Sequence, residues 1–332
     1  MSSGSDQAPR GGIDLGGTKI QTVVVDAENN VLGESRRATP TSGGPEDVAR
    51  EMEAALREAA AQAGLGTRDL AGVGVGSPGD ADETTGVVSD ARNLPGWIGP
   101  FPLGEHLAAQ FGVPVRIGND VQVAVQGEFE LGAAKEFKSI LGVWWGTGVG
   151  GGLILDGRPW LGRGAAAEIG HVVIKRGGAR CTCGRRGCME AYAGRGAMEI
   201  KARKEIQKGA KTKLFEIMEE RGRDRLTSGV WERAIQHGDD LATRLLDRAV
   251  KALGAGVASG VNVIDPEAVI IGGGLGVRFG EKYVKRIESR MHPHLFVDEN
   301  PPAIRLAALG DLGGAIGAAL LVSSRVPEPA AG

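Results

Sequence analysis

A short segment with the sequence EIGHVVIKRGGARCTCGRRGCME contains the residue types of a metal site. Three thiols and one imidazole make a complete tetrahedral ligand set for Zn²⁺. These four residues are His171, Cys181, Cys183 and Cys188. They converge only if the intervening chain turns tightly, which Gly184 and Gly187 permit. Because four protein ligands leave no open position for water, we predict a structural zinc ion. Buried free thiols beside an unrelated histidine are the alternative.

Two glycine-rich turns are candidates for holding phosphate groups. The first has the sequence DLGGTK and begins at Asp14, and the second has the sequence GTGVGGG and begins at Gly146. Glycines let backbone N–H groups approach phosphate oxygens, and threonine hydroxyls add further donors. Neither turn is a P-loop, and the second precedes a predicted strand, which argues against a dinucleotide-binding motif. Each turn alone is also compatible with a plain hairpin, whereas two facing turns would form a phosphate clamp.

Carboxylates at two places suit a ligand with hydroxyl groups. Asn119 and Asp120 follow a predicted strand, and a carboxylate at the carboxyl end of a strand can accept a hydroxyl proton. A helix N-cap is the alternative role for Asp120. Glu168 and Glu190 flank the metal-ligand segment. Folding that segment around a metal would bring both carboxylates towards His171, an arrangement suited to sugar hydroxyls.

The elements that position these residues form two similar halves. The predicted strands lie at 12–15, 21–26, 31–35, 70–76, 115–117 and 268–271. The predicted helices lie at 45–64, 104–111, 239–257 and 313–323. Residues 13–26 align with residues 143–156 at a constant offset of 130. A β-meander therefore recurs, unless two glycine-rich hairpins match by chance.

Composition excludes several classes of protein. The 332 residues include 39 Lys and Arg against 41 Asp and Glu, so a net charge of −2 gives no chain-wide basic surface for nucleic acid or anionic lipid. The charge-rich stretch 198–226 is interpreted as solvated helices. No apolar run reaches the roughly 18 to 20 residues of a membrane span. With no signal peptide and with clustered cysteines, we expect a cytoplasmic enzyme that binds neither nucleic acid nor membrane.

Seven motifs occur together in one order, from about residue 12 to residue 321. They are DLGGTK, GSPG at 76–79, NLPGW at 93–97, GND at 118–120, GTGVGGG, EIGH and CTCGRRGCME. This combination resembles the ROK family of sugar kinases. The sequence departs from the usual family pattern at Val121 and Gln122, after the predicted base, and at Thr182, between the first two cysteines.

The resemblance implies an α/β, actin-like ATPase fold of the hexokinase and Hsp70 type, with two lobes that bind sugar and nucleotide in a cleft. We expect a disordered tail at 1–11, a small lobe at 12–118 and a large lobe at 119–311 that carries a zinc-binding loop at 171–190. A final helix at about 312–323 is a candidate to pack on the small lobe. The family also implies a homodimer or homotetramer.

Site residues follow from the same resemblance. Asp14 would lie near Mg²⁺ and the transferring phosphate, and Asp120 would be the general base for the sugar. The expected nucleotide-binding residues are Asp14, Gly16, Gly17, Thr18, Lys19, Gly146, Thr147, Gly148, Gly150, Gly273 and Gly274. The expected sugar-binding residues are Ser77, Gly79, Asn93, Asn119, Asp120, Glu168, His171 and Glu190. His171 would use one ring nitrogen for zinc and the other for the sugar.

The resulting hypothesis is ATP- and Mg²⁺-dependent phosphorylation of the 6-hydroxyl of glucose. A kinase for mannose, fructose or an N-acetylated amino sugar is the alternative, because discrimination depends on one or two hydroxyl contacts. Polyphosphate is an alternative donor. A sugar-responsive transcriptional repressor is disfavoured, since only 13 residues precede Asp14 and a helix-turn-helix module would need more.

Overall fold

The computed structural model describes residues 8–323, which divide into two compact units. Of the described residues, those up to Gly132 and those from Leu309 onwards form the terminal unit, and Ala133–Ala308 form the central unit. Residues 1–7 of the expected tail lie outside the described residues. The first strand begins at Arg10, inside the stretch expected to be tail.

The terminal unit is built on a five-stranded sheet. Its elements are β1 (Arg10–Leu15), β2 (Lys19–Val25), β3 (Val31–Ala38), α1 (Pro45–Gln62), β4 (Val73–Ser77), β5 (Asp80–Ala81), β6 (Val88–Ser89), α2 (Leu103–Phe111), β7 (Val115–Asn119) and α3 (Asp120–Glu130). The strand order is β3-β2-β1-β4-β7. The first three strands form an antiparallel meander, and β1, β4 and β7 run parallel. The short strands β5 and β6 pair with each other.

The central unit repeats this plan and is followed by one more helix. Its elements are β8 (Ile140–Trp145), β9 (Val149–Leu155), β10 (Arg158–Pro159), α4 (Glu190–Ala193), α5 (Arg195–Gln207), α6 (Leu214–Glu220), α7 (Ser228–Gln236), α8 (Asp240–Ile264), β11 (Ala268–Gly272), α9 (Gly273–Met291) and β12 (Ala303–Leu306). The last helix, α10 (Gly313–Ser323), belongs to the terminal unit. The strand order of the second sheet is β10-β9-β8-β11-β12, and β8, β11 and β12 run parallel.

The predicted repeat of the meander is confirmed. The bounds of β1 and β2, moved by 130 residues, coincide with those of β8 and β9. The two hairpins nevertheless differ by one residue in register, because Leu15 pairs with Ile20 whereas Trp145 pairs with Val149. The turns that join these strands therefore hold different backbone geometries at equivalent positions.

Two helices cover opposite faces of the first sheet. Successive residues of a strand face opposite sides: a Cβ on Gly11 would touch Leu56 of α1, whereas one on Gly12 would overlap the backbone of Ala315 in α10. Glycine at residue 12 therefore lets α10 approach β1 closely. A Cβ on Gly317 of α10 would likewise overlap the backbone of α3. This packing places α3 in the terminal unit, so the division falls after Gly132 rather than after residue 118.

Local signals explain where the longer helices begin. Pro45 occupies the first turn of α1, and the Asp47 carboxylate accepts the Gly44 amide N–H at 2.9 Å. The longest helix, α8, is capped by Asp239, which accepts the amide N–H of Ala242 at 2.8 Å. Among residues 8–323, neither α8 nor any other helix has the length and apolarity needed to cross a membrane.

Candidate functional site

The carboxyl ends of three parallel strands bring several predicted residues of the terminal unit to one sheet edge. Asp14 pairs with Gly76, and Ser77 pairs with Asn119. Asp120 follows β7 as the first residue of α3. Strand carboxyl ends are where α/β sheets bind ligands. Two strand spacings of about 4.8 Å separate β1 from β7, so Asp14 and Asp120 lie at the same sheet edge with β4 between their strands.

The start of α3 is capped by Asn119, so the alternative role of Asp120 as the N-cap is wrong. Oδ1 of Asn119 accepts the amide N–H groups of Val121 at 3.1 Å and Gln122 at 3.2 Å. A contact from Asn119 to a sugar would therefore use its Nδ2 amide. Asp120 lies in the first helical turn, where the helix dipole favours a negative charge.

Asp14 is held in a desolvated environment. A Cβ at Gly314, in the first turn of α10, would lie 2.6 Å from Oδ2 of Asp14. Burial raises the pKa of Asp14 to about 6; Lys19 opposes this rise and Asp311 adds to it. Nζ of Lys19 lies 3.7 Å from Oδ1 of Asp311. A carboxylate in this state gains from a bound cation, as expected for a residue near Mg²⁺.

The first glycine-rich turn is fixed by contacts on both sides. The Gly16 amide donates to the Lys19 carbonyl at 2.9 Å, and the buried Thr39 hydroxyl donates to the Gly16 carbonyl at 2.6 Å. A Cβ on Gly17 would lie 3.1 Å from Nδ2 of Asn93. The exposed Asn93, predicted to bind sugar, therefore lies against the turn predicted to bind phosphate. Thr18 is exposed beside them.

Gly79 is exposed, whereas Ser77, the other predicted sugar contact of this segment, is not. Ser77 is fully buried and its hydroxyl donates to the Pro78 carbonyl at 3.1 Å, which disfavours the predicted direct sugar contact. Gly79 has φ of +89°, and a Cβ there would lie 2.9 Å from the backbone of Ala91. Glycine is needed at residue 79 to let the chain turn.

The second glycine-rich turn lies beside the N-terminus of α9 in the central unit. The Gly146 amide donates to the Gly148 carbonyl at 3.0 Å. A Cβ on Gly146 would lie 3.7 Å from the amide nitrogen of Gly274, in the first turn of α9. Gly273 has φ of +79°, which brings the chain from β11 directly into the helix. Backbone N–H groups at a helix start attract phosphate oxygens. Gly150 lies within β9 rather than in the turn.

The four predicted metal ligands converge in the central unit. The ligand atoms of His171, Cys181, Cys183 and Cys188 all lie within 4.8 Å of one another. Nδ1 of His171 lies 3.7 Å from Sγ of Cys181, and the sulfur atoms of Cys183 and Cys188 are 3.8 Å apart. A tetrahedron with Zn–S bonds of about 2.3 Å has edges of about 3.8 Å, so the donor set fits Zn²⁺. All three thiols are free, and a disulfide would need about 2.05 Å.

Tight turns in the loop make this convergence possible. Gly184 and Gly187 have φ of +87° and +90°. A Cβ on Gly187 would also lie 2.8 Å from the backbone carbonyl carbon of Lys175. An antiparallel backbone β-bridge between Val173 and Cys188 closes the loop at its base. The prediction that Gly184 and Gly187 permit tight turns in this loop is therefore confirmed.

Glu190 joins the metal-ligand cluster to the second glycine-rich turn. Its Oε2 accepts the amide N–H of Val149 at 2.9 Å, and its Oε1 accepts the hydroxyl of Thr182 at 3.0 Å. Sγ of Cys181 lies 3.6 Å from the same Oε1. Nε2 of His171 lies 3.8 Å from the exposed carboxylate of Glu168. The three predicted sugar ligands of this unit thus lie around one cluster, and Nδ1 of the histidine faces the thiols.

Sequence reasoning missed two residues that hold the glycine-rich turns. Thr39 donates its hydroxyl to the Gly16 carbonyl of the first turn. Arg195, the first residue of α5, donates from Nη2 to the Thr147 hydroxyl at 2.7 Å. No motif marks either residue, since both contacts join segments distant in the chain.

The chain belongs to the ROK family, whose family model matches residues 10–325. Its fold is the α/β, actin-like ATPase type that the resemblance implied. A glucokinase of Thermotoga maritima is 32% identical over 320 residues, which cover 95% of this chain and 97% of that protein. An N-acetyl-D-glucosamine kinase of Pectobacterium atrosepticum is 32% identical over 323 residues, covering 93% and 97%.

A solved structure gives a further comparison. It is a ROK family glucokinase from Streptomyces griseus in complex with glucose and AMPPNP. The TM-score is 0.79 at 31% identity, over 94% of this chain and 98% of that one.

Proposed function

We propose that this protein transfers the terminal phosphoryl group of ATP, with Mg²⁺, to the 6-hydroxyl of glucose. It is a hexokinase-type sugar kinase, as its family and its relatives support. The observation that carries the proposal is the register of β1, β4 and β7, which sets Asp14 and Asp120 at the same edge of one sheet. Phosphoryl transfer needs a carboxylate near the metal-bound phosphates and a second one near the acceptor hydroxyl.

Asp120 is the proposed general base. Its carboxylate would accept the proton of the 6-hydroxyl as the oxygen attacks phosphorus. The transition state is loose, so this proton transfer comes late in the reaction. Asp14 would hold Mg²⁺ with the nucleotide, and its desolvation makes a cation favourable there. Asn93 and the Nδ2 amide of Asn119 would donate to sugar hydroxyls.

In the central unit, the second turn and the start of α9 would hold the nucleotide phosphates. Backbone N–H groups of Gly148 and Gly274 are the proposed donors, together with the Thr147 hydroxyl, whereas the Gly146 N–H is already used within the turn. Gly273 would bring the chain close to the nucleotide, whereas Gly150 keeps a role only in shaping β9.

A structural zinc ion is proposed at His171, Cys181, Cys183 and Cys188. When bound, it would fix the loop and the tautomer of His171, and it would take no part in the chemistry. Glu168, Glu190 and Nε2 of His171 would then bind sugar hydroxyls. The fit of the four ligand atoms to a tetrahedral site supports this assignment.

A coupled assay of ADP production with glucose, ATP and Mg²⁺ tests the proposal. We expect turnover with glucose and none without an acceptor sugar. An N-acetylated amino sugar is the second candidate acceptor, because one relative of equal identity is named as an N-acetyl-D-glucosamine kinase. A panel of glucose, mannose, fructose and N-acetylglucosamine discriminates between these, and polyphosphate in place of ATP tests the donor. No turnover with any hexose would refute the proposal.

A further inference from the structure

Arg195 is a buried arginine whose hydrogen bonds end on neutral groups. Only 9% of its surface is exposed. Nη2 donates to the Thr147 hydroxyl at 2.7 Å, and Nη1 donates to the Leu226 carbonyl at 3.0 Å. A buried charge without a hydrogen-bonded carboxylate is costly, so its presence at this position calls for an explanation.

The surroundings of Arg195 leave its charge only partly compensated. Burial lowers the pKa of the guanidinium; Glu199 opposes this, and Arg225 adds to it. The two oxygens of Glu199 accept from Arg203 and from the amide N–H of Leu226. Arginine nevertheless stays protonated in proteins. The second glycine-rich turn, which contains Thr147, therefore lies beside a fixed positive charge.

The backbone joins the same two segments. The amide of Arg195 donates to the Gly146 carbonyl at 3.1 Å, and the amide of Gly196 donates to the Thr147 carbonyl at 3.0 Å. The carbonyls of the turn are thus directed towards α5. The guanidinium N–H occupies a lone pair of the Thr147 oxygen, so the hydroxyl proton can be donated elsewhere.

We propose that Arg195 is a positioning residue for the nucleotide phosphates, which orients the Thr147 hydroxyl as a donor and supplies positive charge beside the second glycine-rich turn. This rests on the proposed function in that the turn binds a nucleotide. The phosphate groups of ATP, rather than the sugar, are the ligand that this arrangement favours.

Calorimetric binding of the Mg²⁺ complex of AMPPNP, measured without sugar, tests the proposal. In Arg195→Met we expect the affinity for AMPPNP to fall about 10-fold or more. The Thr147 hydroxyl would no longer be held as a donor, and its hydrogen bond to a charged phosphate group would be lost. Arg195→Lys should recover part of the loss because it keeps the charge. Glucose affinity should change less than about 3-fold. Arg195→Met combined with Thr147→Val should be less than additive, since the two side chains act together.

Arg10→Met is the matched control. Arg10 is a buried arginine of β1 that donates to the Asp26 carbonyl and to Asn29. Its loss should lower the melting temperature without changing AMPPNP affinity. If Arg195→Met does not fold, Arg195→Gln keeps a donor for Thr147 without the charge and should bind AMPPNP more weakly than wild type.

Unchanged AMPPNP affinity in a folded Arg195→Met or Arg195→Gln variant would overturn the proposal, as would equal losses for AMPPNP and glucose. Nucleotide binding is measured directly, so this test does not depend on turnover. A wild-type protein that binds AMPPNP but phosphorylates no hexose would refute the proposed function, and the AMPPNP affinities would still test the role of Arg195.

Discussion

Glu190 and Val149 are joined by a hydrogen bond of 2.9 Å from the Val149 amide to Oε2 of Glu190. The same carboxylate accepts the Thr182 hydroxyl from the metal-ligand loop. A residue predicted from sequence to bind sugar thus also connects that loop to the second glycine-rich turn. The hydroxyl of Thr182, one of the residues that depart from the expected family pattern, thus holds this carboxylate.

Loss of the Glu190 charge should weaken the use of both substrates. In Glu190→Gln we expect kcat/KM for glucose to fall about 10- to 100-fold, because charge-assisted hydrogen bonds are lost, with a smaller rise in KM for ATP. Steady-state kinetics with each substrate varied would measure both effects. The control is Glu46→Gln, which changes an exposed glutamate in the first turn of α1 and should leave both constants unchanged. If Glu190 had only a structural role, Glu190→Gln would instead lower the melting temperature and leave the KM for each substrate unchanged.

Removal of zinc should destabilise the loop that carries His171. We expect about one zinc ion per chain by elemental analysis and a lower melting temperature after chelation, because metal binding and loop folding are linked. Glucose affinity should fall at the same time, and added Zn²⁺ should restore it. Cys183→Ser should likewise lower the melting temperature and the glucose affinity, and added Zn²⁺ should not restore them fully. Purified protein without zinc, and with a melting temperature insensitive to chelators, would contradict the assignment.

Asp14 should reduce stability at neutral pH when nucleotide and Mg²⁺ are absent. Burial raises its pKa from an ordinary value of 3.8 to about 6 in the fold. The folded state therefore binds the proton more tightly, and stability decreases as pH rises from about 4 through 6. Asp14→Asn should then melt at a higher temperature than wild type at pH 8, and the difference should vanish near pH 4. Turnover should be lost at every pH.

Asp26 gives the control of opposite sign. Hydrogen bonds from the side chain and backbone of Asn30 hold the pKa of Asp26 below its usual range. Its carboxylate therefore stabilises the fold above pH 4, and this contribution is lost as pH falls. Asp26→Asn should lower the melting temperature at pH 8. If both variants shifted in the same direction, desolvation of Asp14 would not be the cause.

Close packing of α10 on β1 requires glycine at residue 12. A Cβ there would lie 2.8 Å from the amide nitrogen of Ala319. Gly12→Ala should cost about 1–3 kcal/mol or more, as overpacking does. Denaturant unfolding would measure this. Gly99→Ala, where no atom lies within 4 Å of the new Cβ, should be nearly neutral. Equal stability of the two variants would show that α10 can move away.

The sequence predicted those features whose signal is local or chemically rare. The offset of 130 located β1, β2, β8 and β9, and three clustered cysteines with one histidine identified four side chains whose candidate ligand atoms lie within 4.8 Å of one another. The contact of Arg195 with Thr147 could not be predicted, because it joins residues 48 positions apart without any periodicity. The burial of Ser77 and the capping role of Asn119 likewise depend on how neighbouring strands end.

The Asp120→Asn variant tests the central claim most directly. The amide keeps the shape of the side chain at the start of α3 but cannot take the hydroxyl proton. We predict that kcat for glucose falls on the order of 10² to 10⁴, while glucose binding measured by calorimetry stays within a few-fold of wild type. A kcat close to that of wild type in this variant would show that Asp120 is not the base and would contradict the proposed mechanism.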